Sequence, residues 1–302
     1  MDIVFNMKKT HLFSRFFVRL HPFSGIVGDK LGVLQSKGFF RQHRFSSILL
    51  QITLSLLLFQ VGLSTASAFT WTATAGATLD TTTKKFGAGS YAFAAKTDDI
   101  TTPDSTSFEP SGNFTWELWV YPTANSINGI MTHIPSGSFG LGMALYNGAG
   151  APRPYASIGN AACTDWLFTG NPTTATLSLN AWHHIFLMRS GNDYYFGHDG
   201  TQTASFLNSS ETPCAPAVGI YIGDQNADNN GITGNIDDVR FSSVARYGTD
   251  ITYTVPTSAF CYDADTVSLL HLDVDTSEDV SACAAGGAAT RTIRRPIIII
   301  PQ

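Results

Sequence analysis

Phe114-Thr-Trp-Glu-Leu-Trp-Val-Tyr-Pro122 is a run of aromatic, aliphatic and β-branched residues that lies between a Gly-Asn pair and a proline. In an extended chain alternate side chains point to opposite faces, and here both faces carry large apolar groups. An exposed edge strand with two such faces would promote aggregation. We therefore expect a central strand, with one face in a hydrophobic core and the other under loops or along a ligand surface.

The chain around this strand predicts an all-β fold. From Phe69 onward, short apolar or alternating runs are separated by turn residues, and no stretch has convincing helical spacing. Asp199-Gly200, between two β-rich runs, predicts a tight hairpin. Regular short strands without helices favour a sandwich or a barrel. The predicted strands are 70–75, 90–95, 114–121, 128–134, 140–146, 154–158, 165–168, 182–189, 193–198, 203–207, 218–222 and 235–241.

The first 68 residues differ from the rest and are interpreted as a leader with one hydrophobic helix. Residues 48–63 are apolar and uncharged, follow Arg41 and Arg44, and precede Ala66-Ser-Ala68. This order is typical of a secretory signal cleaved after Ala68. An uncleaved membrane anchor, an organelle transit peptide and a misplaced start codon are alternatives for the long preamble. We expect a secreted or surface-exposed protein that touches a membrane only through residues 48–63, if these are retained.

The body has a net charge opposite to that of the leader. Residues 48–302 contain ten Lys and Arg against 21 Asp and Glu, a net charge of −11. Nucleic acid is therefore not an expected partner, whereas cation binding is compatible with this balance. The sequence predicts a body over residues 69–273 and a C-terminal tail of uncertain structure over residues 274–302.

Four cysteines, all after the leader, agree with export to an oxidising compartment. No two form a Cys-x-x-Cys pair that would indicate zinc or thiol redox chemistry. Sequence order favours Cys163 with Cys214 and Cys261 with Cys283, one of three possible pairings.

Several segments in order resemble laminin-G-like domains of the concanavalin A-like lectin/glucanase superfamily. They are Lys84–Phe93, Asp98–Asp104, Asn113–Pro122, Trp182–Gly191, Tyr194–Gly200, Val218–Gly223, Gly234–Phe241 and Ala245–Tyr247. The resemblance implies a two-sheet antiparallel jelly roll, often with one calcium ion, that binds sugars or other proteins. In one departure, a segment similar to the family's first strand, Ser268–Asp273, lies near the end of the chain.

The resemblance also implies a calcium ligand at Asp237. Calcium needs six to eight oxygen ligands, so further groups are required, and Asp98, Asp99 and Asp273 are the candidates. The alternative is that Asp237 or its neighbour Asp238 pairs with Arg240 or caps a turn.

Catalysis is not expected. Glycoside hydrolysis needs two suitably placed carboxyl groups, and no two glutamates after the leader lie within seven residues of each other. His183 and His184 are adjacent on a predicted strand, so they cannot chelate one metal ion. We expect one of them to be hydrogen-bonded in the core and the other to be solvated.

Exposed aromatic rings beside polar groups are typical of sugar-binding surfaces. Trp166, Phe168, Tyr146 and Tyr155 are the candidates for such a platform. The sequence thus predicts an exported, non-catalytic binding module for carbohydrate recognition or adhesion, with structural calcium. The alternative function is a structural, protein-binding part of a virion or surface assembly, and a glycoside hydrolase is the least favoured.

Overall fold

The computed structural model describes residues 69–74, 76–125, 128–173, 175–203, 207–225 and 230–280. Within these residues the chain forms strands and one short 3-10 turn, Thr106–Phe108. In chain order the strands are β1 (Thr72–Ala73), β2 (Ala77–Asp80), β3 (Ser90–Phe93), β4 (Ile100–Thr102), β5 (Phe114–Pro122), β6 (Asn128–His133), β7 (Leu141–Asn147), β8 (Pro152–Gly159), β9 (Trp166–Gly170), β10 (His183–Ser190), β11 (Asp193–His198), β12 (Thr201–Gln202), β13 (Leu207–Asn208), β14 (Ile220–Ile222), β15 (Gly234–Ser242) and β16 (Thr266–Leu270).

The strands form two antiparallel sheets. The seven-stranded sheet has the order β1-β4-β14-β6-β7-β8-β9. The nine-stranded sheet has the order β12-β11-β10-β5-β15-β3-β2, with β13 beside β11 and β16 beside β15. This arrangement confirms the predicted two-sheet antiparallel sandwich, consistent with a jelly roll.

Strand β5 lies in the middle of the nine-stranded sheet, between β10 and β15. Phe114, Trp116 and Leu118 point into the core between the sheets, where Trp116 lies edge-on to Phe241 at 5.3 Å between ring centroids. The seven-stranded sheet meets this face with Leu141 and other apolar side chains. Burial of so many aromatic and aliphatic groups is the main stabilising contribution to the sandwich.

The other face of β5 is also buried. Thr115, Glu117 and Trp119 lie beneath residues 243–265, which we call the cover segment. Two small apolar clusters join the cover segment to this outer face of the nine-stranded sheet, and the second contains Phe186 and Tyr247, whose rings stack at 4.4 Å. The prediction of a strand with one face in the core and the other under loops is therefore confirmed.

Local predictions can be checked against the same coordinates. Asp199 (φ 44°) and Gly200 (φ 89°) form the two-residue hairpin between β11 and β12, and two positive φ values are what a type I′ turn requires. The Cys163–Cys214 disulfide is confirmed. Cys283 and the leader, including its predicted hydrophobic helix, lie outside the described residues. In the part of the chain described, no helix is both long enough and apolar enough to cross a bilayer.

Candidate functional site

The outer face of the seven-stranded sheet carries a row of small and hydroxyl-bearing residues. Each residue of the row is paired with the next one, which lies on the neighbouring strand. The row consists of Thr72, Thr101, Tyr221, Thr132, Gly142, Ser157 and Thr169. At the centre of the row Thr132 and Gly142 are buried, and the Thr132 hydroxyl donates to the Asp224 carbonyl at 3.1 Å. Toward β8 and β9 the face opens, and Thr169 is exposed.

At this open end two tyrosines stack on each other. Tyr146 on β7 and Tyr155 on β8 are diagonal neighbours across the strand pair, with ring centroids 5.3 Å apart and planes 21° apart. Tyr146 remains 44% exposed. The Tyr155 hydroxyl lies 2.9 Å from the hydroxyl of Thr169 on β9. We call Tyr146 and Tyr155 the tyrosine pair.

One cation accompanies the tyrosine pair. Arg153 lies directly opposite Tyr146 in the β7–β8 register and is exposed. Among the described strands of this sheet, it is the only charged side chain directed to the outer face. Its guanidinium can offer up to five N–H donors on the same face of the sheet as the two tyrosines. Neither Arg153 nor Thr169 was predicted as a site residue, although strand alternation places Arg153 on the same face as Tyr155.

The other two predicted aromatic ligands lie elsewhere. Phe168 faces Ile158 in the register and packs against the core between the sheets. Trp166 is opposite Gly159 and meets Phe139 at 5.1 Å between ring centroids. The structure therefore brings Tyr146 and Tyr155 together but separates Phe168 from them.

The disulfide fixes the loop beside Trp166. Cys214 is bound to Cys163, and its backbone N–H donates to the Gly159 carbonyl at 3.0 Å. A side chain at Gly159 would meet Cys214 Cβ at 3.0 Å and Phe139 Cβ at 3.1 Å, so this approach requires glycine. The result is a fixed edge next to the open end of the outer face.

Two of the four predicted calcium ligands, Asp237 and Asp273, accept hydrogen bonds from the backbone of the loop between β2 and β3. Asp237 Oδ2 accepts hydrogen bonds from the backbone N–H groups of Lys85 (2.8 Å) and Phe86 (3.0 Å). Asp273 Oδ1 accepts from the backbone N–H of Gly89 at 3.1 Å. Burial raises the pKa of Asp237 to about 7. Asp237 therefore caps the turn between β2 and β3.

The other two predicted ligands lie at a different turn, between β3 and β4. Asp98 Oδ2 accepts from the N–H groups of Ala94 (2.8 Å) and Ala95 (2.7 Å). Asp99 is 4% exposed, and its Oδ1 is buried without a hydrogen-bond partner. Burial raises the pKa of Asp99, and nearby Asp224 and Asp98 raise it further.

The described residues hold no group of three or more His, Cys, Asp or Glu side chains placed to bind one metal ion. The four predicted carboxylates therefore do not fit a single calcium ion as one cage. The Asp99 oxygen is the one buried acceptor among them that lacks a hydrogen bond. Calcium binding stays a prediction.

His183 joins Ser178 and Asp199 in a row that resembles a nucleophile–base–acid arrangement. Its Nδ1 lies 2.5 Å from Asp199 Oδ2, and its Nε2 lies 3.2 Å from the Ser178 hydroxyl. However, Nε2 also lies 2.9 Å from the Ser178 carbonyl, which can only accept a hydrogen bond. Nε2 must therefore carry a hydrogen to bond this carbonyl, and a protonated Nε2 cannot take a proton from the serine. Burial lowers the pKa of His183, but the contacts with Asp199 raise it above its usual value.

Glu117 is the buried carboxylate beneath the cover segment. It accepts hydrogen bonds from Arg240 Nε (2.8 Å) and from the Tyr247 hydroxyl, and His184 Nε2 lies 3.2 Å away. Burial alone would raise the pKa of Glu117, but the contacts with His184 and Arg240 hold it below its usual value. The prediction that one of His183 and His184 is solvated is wrong, because the cover segment buries His184 and the turn at Asp199 buries His183. Arg240 pairs with Glu117 and not with Asp237 or Asp238.

Comparison with known proteins agrees with this architecture. A family model described as the concanavalin A-like lectin/glucanases superfamily matches residues 94–252. The matched range contains β5, the tyrosine pair and the disulfide. Among curated proteins, none matches the chain.

Three solved structures are among those to which the chain is similar. Domain 4 of an extracellular arabinanase from Geobacillus stearothermophilus, solved with arabinotriose, is 14% identical over 59% of this chain and 82% of that chain (TM-score 0.44). A putative carbohydrate binding protein from Bacteroides ovatus is 20% identical over 55% and 46% (TM-score 0.38). The enzymatically active domain of bacteriophage CBA120 tailspike protein 2 is 16% identical over 70% and 34% (TM-score 0.45). The chain spans less than half of the last two proteins.

Proposed function

Because this chain belongs to the concanavalin A-like lectin/glucanases superfamily, we propose that it is an exported, non-catalytic module that binds glycans. The binding surface in this proposal is the open end of the outer face, around the tyrosine pair. The exposed stack of Tyr146 and Tyr155 beside Arg153 is the observation that carries the proposal.

The outer faces of the two sheets differ in how far the described residues cover them. The outer face of the nine-stranded sheet is occupied by the cover segment, whose aromatic side chains are packed against it. Over β7, β8 and β9, by contrast, Tyr146, Arg153 and Thr169 remain exposed. A flat aromatic surface with hydroxyl and guanidinium donors at its margin matches the chemistry of a sugar ring, which has apolar C–H faces and a polar edge.

The absence of a suitable carboxylate pair at this surface supports binding without cleavage. Among the outward-facing positions of β6, β7, β8 and β9 there is no Asp or Glu, whereas glycoside hydrolysis uses two carboxyl groups about 5–10 Å apart. Glu117, the buried glutamate of β5, lies on the other sheet and is fully hydrogen-bonded under the cover segment.

A glycan array tests the proposal with the wild-type chain and four variants. Tyr146→Ala and Tyr155→Ala remove half of the stack, Tyr155→Phe keeps the ring but loses the hydroxyl, and Leu79→Ala is the matched control. Leu79 is an exposed apolar side chain on β2, the edge strand of the other sheet. Losing the burial of one aromatic ring is expected to weaken binding by roughly tenfold or more, from about 1.5 kcal/mol.

The expected pattern is strong loss for both alanine variants, little loss for Tyr155→Phe and none for Leu79→Ala. Glycan hits that all variants retain would place binding elsewhere on the protein. No hits for the wild type, with or without added calcium, would favour the protein-binding role in a virion or surface assembly.

A further inference from the structure

Phe69 follows the predicted cleavage bond, and both its backbone and its ring contact the sandwich. Its backbone N–H donates to Glu278 Oε2 at 2.8 Å, across 209 positions of sequence. Its ring packs against Phe108 with 4.6 Å between centroids, and Phe108 is buried in the core. The position of this nitrogen is therefore fixed from both sides, by a hydrogen bond and by apolar packing.

Glu278 is a half-buried acceptor that lacks a cationic partner. Its Oε1 accepts from the hydroxyl of Ser268 on β16, and the Trp71 indole N–H donates to the same hydroxyl at 3.3 Å. Across the described ranges, no Lys, Arg or His nitrogen lies within 4.0 Å of this carboxylate. Burial raises the pKa of Glu278, as expected for a carboxylate without a nearby positive charge.

We propose that removal of the leader after Ala68 turns the Phe69 nitrogen into an α-ammonium group that forms an ion pair with Glu278. Hydrolysis by a host protease that accepts small residues consumes one water molecule. The bond between Ala68 and Phe69 breaks, Ala68 leaves with a carboxylate, and the freed amine is protonated at neutral pH. The new ammonium group replaces a neutral hydrogen-bond donor at the same position. Cleavage therefore strengthens the contact between Phe69, the first residue of the mature chain, and Glu278.

The surroundings favour this pair. A hydrogen bond between charged groups is about twice as strong as a neutral one, and partial burial reduces screening by salt. The C-terminal segment is already tied to the N-terminal residues, because the Thr276 hydroxyl donates to the Trp71 carbonyl at 2.9 Å. The inference is independent of the proposed glycan binding and rests on cleavage at Ala68.

Other charged groups near Glu278 do not compete for it. Tyr262 faces it, and the carboxylate is one of the groups that raise the pKa of this phenol. His271 and Asp279 pair with each other, at 3.3 Å between Nε2 and Oδ2. The stability that the ion pair adds is therefore expected to change with pH as the α-amino group titrates.

The test uses the full chain with an engineered protease site. In one form the recognition sequence replaces residues 65–68, so that cleavage leaves Phe69 as the first residue. In the matched form it replaces residues 61–64, so that Thr65–Ala68 remain in front of Phe69. Each form is made with Glu278 and as Glu278→Gln, and thermal unfolding is followed from pH 6 to pH 10.

At pH 7 the form that begins at Phe69 is expected to melt about 2–4 °C above the extended form, and Glu278→Gln abolishes the difference. The pair raises the folded pKa of the α-amino group above its unfolded value of about 7.7–8.0. The extra stability is therefore complete below that value and is lost as the pH rises through the folded pKa. Acetylation of the α-amine, which removes its charge, should also abolish it and is the readout if Glu278→Gln fails to fold.

Equal melting temperatures, or a higher one for the extended form, would overturn the proposal. A difference that survives acetylation would also contradict it, since charge would then not be the cause. N-terminal sequencing of the exported wild-type protein completes the test, because a mature chain that begins anywhere except Phe69 cannot form this pair.

Discussion

Replacing Arg240 with methionine tests how strongly the cover segment depends on the buried ion pair beneath it. Arg240 reaches Glu117 Oε1 with Nε at 2.8 Å and Nη2 at 2.7 Å. The side chain of Glu117 is fully buried and that of Arg240 is 12% exposed. The guanidinium also lies 4.5 Å from the ring centroid of Phe260, which belongs to the cover segment. Methionine keeps most of the apolar stem but removes the charge, both hydrogen bonds to Glu117 and the hydrogen bond from Nη1 to the Cys261 carbonyl at 3.4 Å.

The expected loss is large because the carboxylate stays behind. Without Arg240, Glu117 keeps only its contacts with His184 and Tyr247, and an uncompensated buried charge destabilises a protein by about 3–5 kcal/mol. For a domain of this size that corresponds to a decrease in melting temperature of roughly 6–20 °C. The double variant Arg240→Met/Glu117→Gln should recover part of the loss, since no unpaired charge then remains.

Urea unfolding followed by tryptophan fluorescence measures these free energies, because Trp119 is packed against the cover segment. Arg153→Met is the matched control: the same chemical change at an exposed arginine should alter the free energy of unfolding by less than about 0.5 kcal/mol. A loss below about 1 kcal/mol for Arg240→Met, or a double variant less stable than Arg240→Met alone, would refute the reasoning.

Three further predictions concern other parts of the sandwich. Cys214→Ser opens a loop with a sequence separation of 51 and should lower the free energy of unfolding by about 4 kcal/mol; in reductant, where the wild type also lacks this bond, the two proteins should be equally stable. Asp199 raises the pKa of His183, so the stability from this pair is complete below pH 6.5 and declines as the pH rises through the folded pKa; Asp199→Asn should remove that decline from a plot of melting temperature against pH. Calcium should raise the melting temperature of the wild type but not of Asp99→Asn, and a shift that Asp99→Asn preserves would locate the ion elsewhere.

The strands that could be predicted are those whose own sequence contains a clear strand or turn pattern. The alternating aromatic residues of β5 and the Asp199-Gly200 turn need no information from distant parts of the chain. Strands β2 (Ala77–Asp80) and β4 (Ile100–Thr102) were missed because they are short and contain Thr and Asp. They are extended only because β3 and β14 pair with them, and pairing between distant segments leaves no local pattern to read.

The four aromatic candidates show why the positions of the side chains could be predicted only in part. In a regular strand, residues two apart share a face, so Trp166 and Phe168 would both join Tyr155 or both avoid it. Phe168 is opposite Ile158 in the regular part of the register and so faces the core, whereas a β-bulge between Ile158 and Gly159 places Trp166 opposite Gly159, where it meets Phe139. Both positions depend on how β9 pairs with β8, and the sequence of β9 alone does not indicate that register.

The two outer faces differ in how their polar side chains are bonded. Under the cover segment, Glu117, Arg240 and His184 satisfy one another, so a ligand there would have to displace internal bonds that stabilise the fold. At the tyrosine pair, Tyr146 and Arg153 are exposed, so under the proposed glycan-binding function each exchanges water for a ligand without disrupting that buried network. Substitutions at these two positions should therefore change binding while leaving the melting temperature within a few degrees of the wild type. A loss of stability from Tyr146→Ala comparable to that from Arg240→Met would contradict this separation of folding from binding.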